Sequence, residues 1–304
     1  KNLNSQIYQN DSLHTIKILE KWKTKNTVKD KKPKMVFINT TGGGMRSALW
    51  SFCAIQYCDS ILNGKLLNHT QLMSGSSGGL LGLAYLRELM LRKKRKEITN
   101  YHKSIYRNDL AKDILNRLAF YVSVNDMLFR LQTFKDNGFT YRKDRGYAFE
   151  ERLNENTNGY LNRRLDEYYA PEYNSKIPML IINPTIINNG QRLIISSQPV
   201  SYLSYNYTQN NIKNEYLNES IEFKRFFKQQ GAGDLRFTSA LRMSSTFPYV
   251  MPIVHLPSKP EFKVMDAGLR DNFGMKNSIK FLYTFKNWIA NNTSGVVIIQ
   301  IRDS

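Results

Sequence analysis

Ser77 stands in the run Gly75-Ser76-Ser77-Gly78-Gly79, with glycine two places before it and two places after. A serine so framed fits a sharp strand-to-helix turn, where flanking side chains would clash and the bend projects the hydroxyl as a nucleophile. The neighbouring serines lack that frame. Gln71-Leu72-Met73 reads as the end of a short strand, and Leu80 to Leu86 opens an apolar helix, which is the context such a turn requires. A flexible glycine-serine loop is the commoner fate of a small-residue cluster, so this segment alone leaves both readings open.

A second glycine cluster, Gly42-Gly43-Gly44, follows the apolar run Met35 to Ile38 and precedes apolar residues at roughly helical spacing from Ala48 to Leu62. Glycines between a strand and a helix leave backbone amides open to a negatively charged oxygen, and the helix dipole adds to the attraction. That describes either an oxyanion hole or a phosphate cradle. The nucleotide P-loop pattern fails, because no Gly-Lys-Ser/Thr follows. The dinucleotide fingerprint breaks at Ser47, where its third glycine belongs, and Asp59 falls inside the helix instead of ending a second strand.

A third element lies late in the chain. Phe262-Lys263-Val264-Met265 alternates as a strand does and delivers Asp266 into the turn Ala267-Gly268. An aspartate there serves either as a turn residue or as a base.

Taken together, the three elements resemble the patatin-like phospholipases, in which a Gly-Gly-Gly-x-Arg/Lys-Gly loop, a Gly-x-Ser-x-Gly elbow and an Asp-Gly-Gly/Ala turn occur in that order. The matching segments are Gly42 to Ser47, Gly75 to Gly79 and Asp266 to Gly268, and Ser239 to Pro248 looks like the family's Ala/Ser-rich helix before the aspartate strand. The resemblance runs from about Pro33 to about Asn272. Ser47 and Ala267 depart from the usual glycines; the triple glycine with Met45-Arg46, and Asp266 to Leu269 with Asn272 beyond, look closer to the related cytosolic phospholipases of animals.

The resemblance implies a three-layer α/β fold with a mostly parallel central sheet flanked by helices and a helical insert. It implies a lipid acyl hydrolase of the phospholipase A type with a Ser77–Asp266 dyad and Gly42, Gly43, Gly44 and Gly78 as oxyanion donors; from the residues themselves, which show no metal-ligand spacing and no calcium loop, no cofactor or metal is expected. An acyltransferase of related fold and a catalytically silent membrane-binding module are the alternatives. The residues agree with a dyad: of His14, His69, His102 and His255, none follows Asp266 as the Ser-Asp-His order of ordinary α/β-hydrolases demands. His255 remains the rival base. Arg46 suits a lipid phosphate or an acidic neighbour equally well.

With 304 residues and 41% hydrophobic content, the chain holds one large α/β domain, because Ser77 and Asp266 must meet. Residues 1–32 read as a basic linker or helix and 33–304 as the catalytic domain, with a helical insert near 97–170. Strands are expected near residues 35, 72, 180, 193, 263 and 298, the last as a buried parallel strand, and Asn189-Gly190 as the turn of a hairpin.

Lys and Arg number 44 against 25 Asp and Glu, a formal charge of +19. The dispersed basic residues carry no nucleic-acid motif, so no nucleic-acid partner is expected and an anionic membrane surface fits better, while unpaired Cys53 and Cys58 favour a reducing, cytoplasmic side. The run Arg92 to Lys96 is expected to complement the negative end of a helix in preference to forming a lipid headgroup site. No stretch is long and apolar enough to span a bilayer, and the opening Lys1 leaves room for an anchor or targeting segment ahead of it. The apolar residues between Leu110 and Phe134 make either a lid or core, and Tyr202, Tyr205 and Tyr207 either a lipid interface or a surface loop. Cys53 and Cys58, about 140° apart around one helix, are not expected to pair. No metal-ligand spacing is present, and the oligomeric state stays open.

Overall fold

A computed structural model describes residues 2–123, 132–136, 138–204, 219–248 and 250–303. The first part of the chain runs α1 (Asn2–Asn26), β1 (Met35–Thr40), α2 (Gly44–Ile61), α3 (Lys65–His69), β2 (Thr70–Gly75) and α4 (Ser77–Lys94). The middle holds α5 (Ile105–Ala111), α6 (Leu115–Tyr121), the hairpin β3 (Thr133–Asp136) and β4 (Phe139–Arg142), α7 (Arg145–Asn156) and α8 (Tyr169–Tyr173). Then follow β5 (Met179–Ile182), β6 (Thr185–Ile186), β7 (Gln191–Ile194), β8 (Ser220–Glu222), α9 (Phe223–Phe226), α10 (Phe237–Met243), β9 (Val254–Leu256) and β10 (Phe262–Met265). The last elements are α11 (Gly268–Asp271), α12 (Met275–Asn292) and β11 (Val296–Ile301).

The central sheet has the order β11-β1-β2-β5, and all three of its pairings are parallel. Successive side chains of a strand point to opposite faces, so a strand buried on both sides is apolar throughout. Val36, Ile38 and Met73 pack with Phe52 and Ile55 of α2 and Leu80 and Leu83 of α4. Their neighbours Met35, Phe37 and Leu72 pack on the other face with Ile18, Leu19 and Trp22 of α1 and Phe281 and Phe285 of α12. This gives three layers, helix on sheet on helix. The basic N-terminal segment is thus a helix that contributes an apolar stripe to the core.

Three sequence expectations change here. β11 is parallel, but it lies at the sheet's edge with Val297 and Ile298 exposed; a Val/Ile run reads the same whether or not a further strand covers it. The strands near 193 and 263 belong to a second sheet, β8-β7-β6-β10-β9, whose pairings are antiparallel apart from β7–β8. An antiparallel bridge between Ile182 and Ile195 joins it to the central sheet. The segment around 97–170 carries a hairpin as well as helices, and its Leu110, Ile114, Leu118, Phe149 and Leu153 enter the same core as α2 and α4.

Leu110, Ile114 and Leu118 are thus core, whereas Leu115 and Phe120 of the same segment are exposed; Met127, Leu128, Phe129 and Leu131 lie outside the described residues. Tyr202 is buried, its ring edge-on to Phe281 and Phe285 and its hydroxyl accepting from Thr15 Oγ1 at 3.1 Å, so it is a core residue. Tyr205 and Tyr207 lie outside the described residues. The hairpin of β6 and β7 turns at Gly190 with φ 71°, which asks for glycine. Cys53 and Cys58 are free.

Candidate active site

β2 carries the chain out of the core to Gly75, and α4 begins at Ser77. Ser76 is extended, whereas Ser77 has φ 49°, a left-handed conformation that is costly for a residue with a Cβ. Its surroundings hold it there. Ser76 N donates to Thr40 O at 3.2 Å and Ser77 N to Ser244 O at 3.1 Å. The flanking glycines are demanded by contact: a Cβ on Gly75 would stand 2.2 Å from Thr40 Oγ1, and one on Gly79 2.2 Å from Thr41 O. The segment is therefore a packed, strained elbow, which removes the flexible-loop reading.

Asp266, at the end of β10, is only 4% exposed. Ser244 O accepts from Ala267 N at 3.3 Å as well as from Ser77 N, and Thr246 O accepts from Asp266 N at 2.9 Å. The segment after α10 thus ties the aspartate turn to the elbow. Asp266 Oδ1 accepts from Gly268 N at 2.6 Å and Ser76 Oγ at 3.2 Å, while Oδ2 is buried with no hydrogen-bond partner among the described residues. Burial raises the pKa of the carboxyl above its ordinary value, opposed by the Gly268 amide and the hydroxyls of Ser77 and Ser76. Ser77 therefore lies within electrostatic reach of the carboxylate, though no hydrogen bond closes on Oδ2; such bonds tighten when substrate arrives. Ser76 is fully buried, and Ser77 is the accessible hydroxyl of the two.

The glycine loop faces this pair. α2 starts at Gly44 beside the start of α4, so close that a Cβ on Gly78 would lie 1.7 Å from Gly44 O. Two helices of 18 residues thus direct their N-terminal amides to one place, where their dipoles favour negative charge. The amides of Gly43, Gly44 and Gly78 make no hydrogen bond among the described residues. Gly42 differs from the sequence expectation: its amide donates to Asn272 Oδ1 at 3.0 Å and is not available as an oxyanion donor. That bond links residues 230 positions apart and has no local signature.

Arg46 binds Asp303, its Nε 3.0 Å from Oδ1 and 3.1 Å from Oδ2, and is 76% exposed. The acidic-neighbour reading is the arrangement seen, and a phosphate would have to displace Asp303. Asp303 is itself anchored by its amide to Thr41 Oγ1 at 3.1 Å. His255 lies on β9, exposed, with Nδ1 2.9 Å from Glu261 Oε2; it makes no contact with Ser77 among the described residues. Asp59 is buried and accepts from Leu67 N, Tyr101 Oη and His102 Nε2, a structural cluster remote from any dinucleotide role. Arg92, in the last turn of α4, is held by Glu88 and Glu97.

Residues 40–277 match the family model of patatin-like phospholipase. No curated protein matches the chain. Among solved structures, human GIVD cytosolic phospholipase A2 is 14% identical, with 92% of this chain and 46% of that chain covered and a TM-score of 0.43. Its complex with methyl gamma-linolenyl fluorophosphonate and terbium chloride is 17% identical, with 65% and 28% covered and a TM-score of 0.34. VipD from Legionella pneumophila is 11% identical, with 79% and 46% covered and a TM-score of 0.31. The chain spans less than half the length of each of these.

Proposed function

Because the chain belongs to the patatin-like phospholipase family, we propose that it cleaves carboxylic esters of phospholipids with Ser77 as nucleophile and Asp266 as base. The observation that carries this reading is a strained, accessible serine beside a buried carboxylate of raised pKa, both at the converging amide ends of α2 and α4. Ser77 Oγ attacks the ester carbonyl as its proton passes to Asp266. The negative charge that develops on the carbonyl oxygen is met by the amides of Gly43, Gly44 and Gly78, each such donor lowering the barrier by about 3 to 4 kcal/mol. Asp266 returns the proton to the departing alcohol, and water then hydrolyses the acyl-serine with Asp266 again as base. The substrate lies in an anionic membrane surface, to which the charge of +19 draws the chain.

Asn272 holds the glycine loop against the aspartate turn: its Oδ1 bonds Gly42 N and would be 3.2 Å from a Cβ on Gly268. Asn272→Ala is expected to lower kcat about tenfold with little change in KM, since the loss falls on donors used only in the transition state. Steady-state kinetics on one lipid ester read this directly.

A panel of defined phospholipids and lysophospholipids, with products identified by mass, tests the activity. Release of free fatty acid, unchanged in His255→Ala within about twofold, is expected for a Ser–Asp hydrolase. Acyl chains recovered mainly on added alcohols would instead make the chain an acyltransferase, and loss of activity in His255→Ala would displace Asp266 as base.

A further inference from the structure

We propose that the rim of the Ser77 site is itself the face that docks on an anionic lipid bilayer. The proposal deepens the lipid-ester reading above and rests on it for the identity of the partner. Two segments frame the elbow, one after Ser244 and the other after Asp266, and they are joined by the bonds from Asp266 N to Thr246 O and from Ala267 N to Ser244 O. Both then turn apolar side chains outward. Phe247 is 58% exposed and Val250 43% on the first; Leu269 is 55% and Phe273 39% on the second. Singly exposed apolar residues are ordinary, but four of them on two segments bonded to each other beside the elbow mark an interaction surface.

The charge on this rim identifies the occupant. Arg270 is exposed beside Leu269, and Arg302 lies over the Phe273 ring at 5.0 Å. The nearby carboxylates are withdrawn: Asp266 and Asp271 are buried, and Asp303 is bonded to Arg46. Aromatic and aliphatic side chains interleaved with arginine suit the headgroup boundary of an anionic bilayer, where the apolar groups enter and the guanidinium groups meet lipid charge. A protein seated on the same rim would cover the opening to Ser77, whereas a bilayer delivers an ester through it.

Co-sedimentation of the full chain with vesicles of phosphatidylcholine, with and without phosphatidylserine, tests the proposal. Wild type is expected to bind the anionic vesicles preferentially, more weakly as salt rises. The variant Phe247→Ser/Phe273→Ser is expected to lower that partition by about tenfold or more, while turnover of a soluble short-chain ester stays within about twofold. Equal binding by the double variant, or no preference for anionic vesicles, would overturn the docking face. So would a wild type that ignores vesicles but dimerises through these two phenylalanines. Rim-dependent vesicle binding without ester turnover would support the docking face and overturn the hydrolase reading, so the two fail separately.

Discussion

Ser77→Ala and Asp266→Asn are each expected to lower kcat by about 10^4-fold or more, since removing one member of a nucleophile–base pair costs nearly as much as removing both. Their stabilities should differ. Burial raises the Asp266 pKa, so in the pH range between its unfolded and folded pKa values the folded chain binds more protons than the unfolded one. Stability contributed at this site is therefore present at low pH and is lost as pH rises through that window. The amide introduced by Asp266→Asn carries no charge to desolvate and keeps an oxygen to accept from Gly268 N. This variant is thus expected to melt no lower than wild type near neutral pH, an advantage that vanishes below about pH 4, where the wild-type carboxyl is protonated in both states. The same shift sets the acid limb of the kcat/KM profile above the usual aspartate value of about 4. Thermal melts at several pH values, together with the pH–rate profile, check all three expectations. A midpoint at or below the ordinary aspartate value would remove the burial argument.

Gly78→Ala carries the largest expected structural effect. Its Cβ would lie 1.7 Å from Gly44 O, and both partners are backbone at helix starts that have no side-chain freedom to yield. Moving α2 from α4 by the required amount exceeds ordinary overpacking, so a loss of at least about 3 kcal/mol is expected. In a chain of this size that is a fall of roughly 5 to 10 °C in Tm. Gly82→Ala is the internal control. It meets Ala48 O at 2.2 Å one turn further along the same helix crossing, away from the elbow. Both variants should be destabilised, but the folded fraction of Gly82→Ala should retain its specific activity while that of Gly78→Ala should not. Equal specific activities would show that the Gly44 and Gly78 amides contribute nothing to turnover.

The elbow, the glycine loop and the aspartate turn were legible because their demands are local. Gly75, Gly78 and Gly79 are forced by backbone packed within a Cβ's reach, and a strand–turn–helix pattern surrounds each cluster. What joins them was not legible. The Gly42–Asn272, Ser76–Asp266 and Arg46–Asp303 contacts link residues 230, 190 and 257 positions apart, and nothing in either partner's neighbourhood announces the other. Asn272 was visible as the residue beyond the aspartate turn, yet its bond to Gly42, which withdraws one amide from the expected oxyanion set, follows only from the fold. The same limit explains β11: Val296 to Ile301 has the composition of an interior strand, and composition does not say how many neighbours a strand receives. The Asn-Gly hairpin was read correctly because a turn of that kind fixes its own register.

The central claim is that Ser77, and not its buried neighbour Ser76, is the nucleophile. Reaction with a fluorophosphonate followed by peptide mass analysis tests it most directly. A single adduct on Ser77, absent in Ser77→Ala and formed far more slowly in Asp266→Asn, is the predicted result. An adduct on Ser76 or another serine, or labelling that persists in Ser77→Ala, would contradict it.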